Sequence, residues 1–202
     1  MDEWLAGNLD DRDDVAVVAI GGYGRQELCP GSDLDVLLLH KSRGDITQTA
    51  RKLWYPIWDA GLGLDHSVRT VDEALSVASN DLRTMLGLLD GRYVAGAHEI
   101  AERLLTRAAD DWRRHARRWM SVLATSAAER HARFGDVAFL LEPELKEGKG
   151  GLRDIVVLAA IAEAVPVVDR DDLGVDTARE MLLDARVELH RSAGRLLDRL
   201  LL

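Results

Sequence analysis

Asp33 and Asp35 stand at the entrance of an apolar run, with ten residues between them and the pair Gly21-Gly22. Carboxylates at i and i+2 of a strand project to the same face, while Leu34 and Val36 turn to the core. Like charges held close together are unfavourable unless a cation lies between them. Magnesium (Mg2+), which takes oxygen ligands, is the natural occupant. Two such ions, ~3.5–4 Å apart, would stabilise attack and departure in an in-line phosphoryl displacement. A glycine pair directly after a strand lets the backbone approach a triphosphate and aim its N–H groups at the oxygens. Ser32 adds a hydroxyl to the same phosphates. An isolated Asp-x-Asp is usually a strand-end acid pair, and a lone Gly-Gly is usually a turn. Their order here (strand, Gly-Gly, spacer, Asp-x-Asp, strand) is what makes them specific. Residues 22–27 do not form a dinucleotide fingerprint, because Glu27 stands at the third-glycine position.

A third carboxylate from a neighbouring strand would complete a two-metal site and could accept the nucleophile's proton. Asp65 fits by alternation, on the opposite face from Leu64 and His66; an ion pair with Arg69 is the structural alternative. Asp59 and Asp81 also qualify by type, but both fall in helical context. Lys146 and Arg153 flank glycines at a loop-to-helix junction, where cation and helix N-terminus favour an anion. There the alternative is a helix stop, with Arg153 paired to Asp154. Arg25 and Arg69 are candidates for phosphate contact, with structural ion pairs as the alternative. His66 is expected to face the core, as are Trp54, Trp58, Trp112 and Trp119. The basic run 113–118 is expected to be a solvated helix face, and Cys29 to be incidental.

These residues need elements to hold them. Residues 15–20 are a β-branched apolar run that reads as a buried strand, and 33–39 as a second. Helical spacing through Ala50, Leu53, Trp54, Ile57 and Trp58 is broken by Gly61 and Gly63. Residues 62–68 read as a third strand. From about Val71 onward the pattern is almost entirely helical. One long stripe passes through Ile100, Leu104, Ala108, Trp112, Trp119 and Leu123 to a stop at Gly135. A glycine-rich loop then leads to a helix from about Leu152. Pro166 and the acidic residues 169–172 mark a connection, and a last helix occupies roughly 176–202. The expected fold is α/β (α+β): a lobe with a mixed sheet over 1–72, then an all-α lobe over 73–202.

The chain has 202 residues, of which 47% are hydrophobic and 30% charged, which excludes disordered and low-complexity classes. A net charge of −9 argues against nucleic acid as a partner, since phosphate neutralisation needs a basic surface. One cysteine cannot form an internal disulfide. No apolar run approaches the ~20 residues of a membrane span. The N-terminus is acidic rather than a basic signal region, so a cytoplasmic protein is expected. The apolar end, Leu200-Leu201-Leu202, suggests a stretch of something longer.

Three blocks carry a family resemblance. The stretch Gly21-Gly22-Tyr23-Gly24-Arg25-Gln26-Glu27-Leu28-Cys29-Pro30-Gly31-Ser32-Asp33-Leu34-Asp35 resembles the nucleotidyltransferase motif of the bifunctional PII uridylyltransferase/uridylyl-removing enzymes. Trp58-Asp59-Ala60-Gly61-Leu62, leading to His66-Ser67-Val68-Arg69-Thr70, resembles that family's second block. Glu142-Pro143-Glu144-Leu145-Lys146-Glu147-Gly148-Lys149-Gly150-Gly151-Leu152-Arg153-Asp154 resembles its third. The resemblance implies a polymerase-β-like nucleotidyltransferase lobe that moves a nucleoside monophosphate from a triphosphate to a tyrosine of the PII nitrogen-signalling protein. Asp33 and Asp35, with Asp65, would hold magnesium, and Gly21, Gly22 and Ser32 would cradle the triphosphate. UTP is the family's usual donor, and ATP serves in some lineages. Two positions depart from the family pattern, which commonly has glycine at Asp65 and proline at Lys149. The family's His-Asp phosphohydrolase and glutamine-sensing modules have no counterpart here, and no His-Asp dipeptide occurs. The rival expectations are adenylyl transfer to another protein, such as glutamine synthetase, and a non-catalytic regulatory lobe.

Overall fold

The computed structural model describes residues 1–9, 12–41, 46–165 and 174–202. The expected connection at Pro166 and 169–172 lies outside them. The chain divides into two units, one of Met1–Leu28 with Ser32–Asp111, the other of Cys29–Gly31 with Trp112–Leu202.

The first unit is built on a mixed four-stranded sheet. β1 (Val15–Ala19) pairs antiparallel with β2 (Leu34–His40), and β2 pairs in parallel with β3 (Leu64–Arg69). All five residues of β1 are buried, because the strand has a neighbour on either side and protein on both faces. A parallel pair needs a crossover, and α3 (Thr47–Asp59) supplies it. Its buried Leu53, Trp54 and Ile57 share one core with Val15, Val17, Ala19, Leu34, Val36 and Leu38. Leu5 of α1 (Asp2–Asn8) joins them. By alternation, Asp35 and Asp65 project from the other face of the sheet.

The stretch after Val71 is not wholly helical. Beyond α4 (Val71–Ala78) and α5 (Leu82–Leu89), β4 (Arg92–Gly96) pairs antiparallel with β1 and completes the order β3-β2-β1-β4. This short edge strand carries the first unit well past residue 72. It shows no strict period-2 burial, and its pairing with β1 is interrupted by a register shift between Val17 and Val18. The long helical stripe is also two helices. α6 (His98–Arg114) ends and α7 (Ala116–Phe134) begins around a non-helical His115, and α7 stops at Gly135 as expected.

In the second unit, the Trp112 indole donates to the Ala160 carbonyl at 2.7 Å and stacks on Trp119. α8 (Leu152–Ala164) and α9 (Val175–Ala193) share a small core of Leu152, Ile155 and Val175. α9 ends at a left-handed Gly194, short of the chain end expected for it. The residues that follow lie antiparallel to the loop before α8, with Glu144 and Arg199 bridged. No helix among the described residues is long and apolar enough to cross a membrane.

Candidate active site

The parallel register between β2 and β3 decides the geometry. Asp35 lies directly opposite Asp65, and Leu34 opposite Leu64. Register partners share a face, with strands ~4.8 Å apart, so two carboxylates sit side by side at one end of the sheet. Asp33 stands one residue before β2, next to Gly63. The Leu34 amide donates to the Gly63 carbonyl at 2.9 Å, and a Cβ on Gly63 would fall 1.8 Å from Asp33 Oδ1. Only glycine leaves the Asp33 carboxylate its place.

Gly21 meets the same acids from β1. The Ile20 amide donates to the Asp35 carbonyl at 3.0 Å, so the turn into α2 (Gly21–Gly24) is tied to β2. Gly21 has φ +54°, a left-handed conformation, and a Cβ there would meet Asp35 Oδ2 at 3.0 Å. Both the backbone conformation and the close approach require glycine. Ser32 is half-buried just before Asp33, and a Cβ on Gly22 would stand 4.0 Å from Arg25 Nη2. Asp33, Asp35, Asp65, Gly21, Gly22 and Ser32 thus all belong to the first unit, around the mouth of β2.

Arg25 is engaged elsewhere. Its Nε donates to Glu27 at 2.6 Å and its Nη1 to Asp90. Burial opposes the charge, but the two carboxylates outweigh it and hold the guanidinium above its ordinary value. Both ion pairs lie within the first unit. Asp81 caps α5 through the Thr84 amide, and Asp59 ends α3. His66 lies on the core-side face of β3 with Leu64 and Val68, as expected, but is exposed rather than buried. Its ring lies 5.2 Å from Trp54 and 5.4 Å from Trp58, which is itself 43% exposed, contrary to expectation. Trp54, Trp112 and Trp119 are buried as expected.

Lys146 and Arg153 belong to the second unit. The Arg153 amide donates to the Lys146 carbonyl at 2.9 Å, and its guanidinium pairs with Glu147 at 3.2 Å, not with Asp154. Asp154 accepts from Gly150 N at 2.8 Å, from His131 and from Arg130. Burial pushes this carboxyl up, but those partners win and hold it below the ordinary range. Glu144 folds the same loop through the Glu147 and Gly148 amides, and burial holds its carboxyl high. Cys29 is not incidental, since Arg186 donates to its sulfur at 3.0 Å. Sequence reasoning missed this contact, because nothing in the spacing around Cys29 or Arg186 points from one to the other.

The donor set of Asp33, Asp35 and Asp65 is all carboxylate oxygen, which suits a hard divalent cation. Two of the three are neighbours by register, and glycines leave room beside two of them. Among the described residues, no three His, Cys, Asp or Glu side chains are drawn together closely enough to grip a metal ion by themselves.

A family model described as GlnD PII-uridylyltransferase matches residues 118–202. A bifunctional uridylyltransferase/uridylyl-removing enzyme of Streptomyces coelicolor is 47% identical over 207 residues, covering 100% of this chain and 25% of that protein. Proteins of the same name from Mycobacterium tuberculosis and Corynebacterium glutamicum are 44% and 38% identical, over 99% and 96% of this chain and 26% and 28% of theirs. The chain spans about a quarter of the length of the curated relatives it matches. The resemblance carried by the three sequence blocks thus holds along the whole chain, which belongs to the family of bifunctional uridylyltransferase/uridylyl-removing enzymes as one portion of their length.

Proposed function

We propose that this chain carries the nucleotidyl-transfer site of a PII uridylyltransferase, on a polymerase-β-like lobe formed by its mixed sheet. The observation that carries the reading is the register of Asp35 against Asp65, with Gly21 closing on Asp35 and Asp33 at the strand mouth. In this reading Asp33, Asp35 and Asp65 hold magnesium, while Gly21, Gly22 and Ser32 take the triphosphate of UTP. Bound there, the metal supplies charge stabilisation for the α-phosphate and the departing pyrophosphate. In the same reading Asp65 accepts the proton of a PII tyrosine hydroxyl. The tyrosine oxygen bonds to the α-phosphorus, the bond to the β-phosphate oxygen breaks, and pyrophosphate leaves. Positioning and charge stabilisation provide most of the rate in such a transfer. Lys146 and Arg153 are assigned to anion contact, and Arg25 to bracing the turn after α2.

Incubation with PII, magnesium and α-labelled UTP or ATP in parallel arms tests this. The expected result is label on PII from UTP, dependent on magnesium and lost in Asp35→Asn. Label from ATP alone would change the donor and keep the site. Label from neither, or an Asp35→Asn chain as active as the unsubstituted one, would overturn the reading.

A further inference from the structure

The segment leading into Asp33 is held from far along the chain. Cys29–Gly31 packs with the second unit, although Leu28 before it and Ser32 after it belong to the first. Three side chains grip it. Arg186 Nη1 lies 3.0 Å from Cys29 Sγ, and His190 Nδ1 lies 2.9 Å from the Pro30 carbonyl oxygen. That oxygen can only accept, which places a hydrogen on Nδ1. Asp198 ties the two together, accepting from Arg186 Nε at 2.6 Å and facing His190 Nε2 at 3.1 Å. Asp198 is anchored in turn, since its carbonyl accepts the Leu145 amide at 2.8 Å. Leu196 packs at the Gly31 turn, 3.6 Å from where a Cβ would stand.

This network is buried. Arg186 is 7% exposed and His190 2%, on a helix most of whose other polar residues are exposed. Burying a guanidinium and an imidazole is unfavourable unless their polar atoms are satisfied, and here the satisfying groups are the Cys29–Pro30 segment and Asp198. A greasy pair at these positions would fill the space without fixing the backbone of Pro30. Burial raises the Asp198 carboxyl, but Arg186 and His190 outweigh it and hold it ionised.

We propose that Arg186, His190 and Asp198 are positioning residues that fix the backbone of Cys29–Gly31, the stretch of chain that runs directly into Ser32 and Asp33. The inference rests on the reading of Asp33 as a working carboxylate. The clamp itself is local and can be measured apart from that reading. Supporting groups of this kind typically account for ~10–100-fold in metal affinity or activity.

The test compares the unsubstituted chain with His190→Ala, His190→Asn and His190→Gln. Asn can keep a donor toward Pro30, whereas Gln reaches toward Asp198 instead. Amide hydrogen exchange over residues 29–34 is expected to speed up roughly tenfold or more in His190→Ala and His190→Gln, with β1 and β4 unchanged. His190→Asn is expected to restore most of the protection. In the transfer assay, His190→Ala is expected to need more magnesium for half-maximal rate and to lose ~10–100-fold in kcat. KM for PII stays within about twofold. Unchanged exchange over 29–34, or Asn and Gln variants that behave alike, would overturn the clamp. Should His190→Ala unfold, the Asn and Gln variants decide the matter alone. If the unsubstituted chain transfers no label, the proposed activity fails while the exchange result still judges the clamp.

Discussion

Gly63→Ala is the most informative single perturbation of this site. Its Cβ would lie 1.8 Å from Asp33 Oδ1, 2.9 Å from Asp33 Cγ and 3.3 Å from Asp33 Cα. Real Cβ contacts essentially never fall below 3.0 Å, so the carboxylate oxygen must move by at least about 1.2 Å. Asp33 is exposed and short, and a side-chain rotation relieves the clash with little loss of stability. The same rotation takes the carboxylate out of line with Asp35. Misplacement by ~1 Å costs about 10²-fold in rate, equivalent to ~2.7 kcal/mol of transition-state stabilisation. Gly61→Ala is the control. Gly61 has φ +70° and nothing within 4 Å, so alanine there is strained by ~1–2 kcal/mol but displaces no carboxylate. The assay is labelled UMP transfer to PII at saturating UTP and magnesium, alongside thermal melting. The expected pattern is a double dissociation: Gly63→Ala folded but slow, Gly61→Ala weaker but active. A Gly63→Ala chain within about twofold of the unsubstituted rate would refute the placement of Asp33 in the reaction.

Two further outcomes follow from the ion pairs. Arg25→Gln takes a guanidinium from Glu27 and Asp90, whose side chains are only 9% and 14% exposed, and is expected to lower stability by ~2–3 kcal/mol. KM for UTP should stay within about twofold; a tenfold rise with unchanged melting would return Arg25 to the phosphates. Asp154 has its pKa held below 3.8 in the folded chain, so the folded state binds fewer protons there than the unfolded one. Its stabilisation is complete above pH 3.8 and is lost as pH falls through the lowered value. Asp154→Asn should cost ~2 kcal/mol at pH 7 and progressively less in acid, read by denaturant melts at several pH values. Curves that stay parallel across that acid range would exclude Asp154 as the group responsible.

Much of the first unit was legible because its signals are short-range. The β-branched run of β1, the apolar run of β2 and the four-residue spacing of α3 each report a face within a few residues. β4 was not legible, since Arg92, Tyr93 and Val94 are only half-buried and earn their place through hydrogen bonds to β1. Trp58 and His66 looked like core residues by spacing. They stay exposed because β3 is an edge strand and its rim lies beside the last turn of α3. Helical periodicity likewise ran straight through His115, where the backbone breaks.

Residue type and local spacing were enough to nominate Asp33, Asp35, Gly21 and Asp65. That Asp65 lies opposite Asp35, rather than two residues up or down the strand, was decided by the β2–β3 register. Periodicity states which way a side chain points, but pairing between segments is chosen by the burial and hydrogen bonding of the whole unit. The hold of Arg186 on Cys29, 157 residues away, is the extreme case. Neither residue's neighbours hint at the other, and only the packed chain brings the sulfur and the guanidinium together.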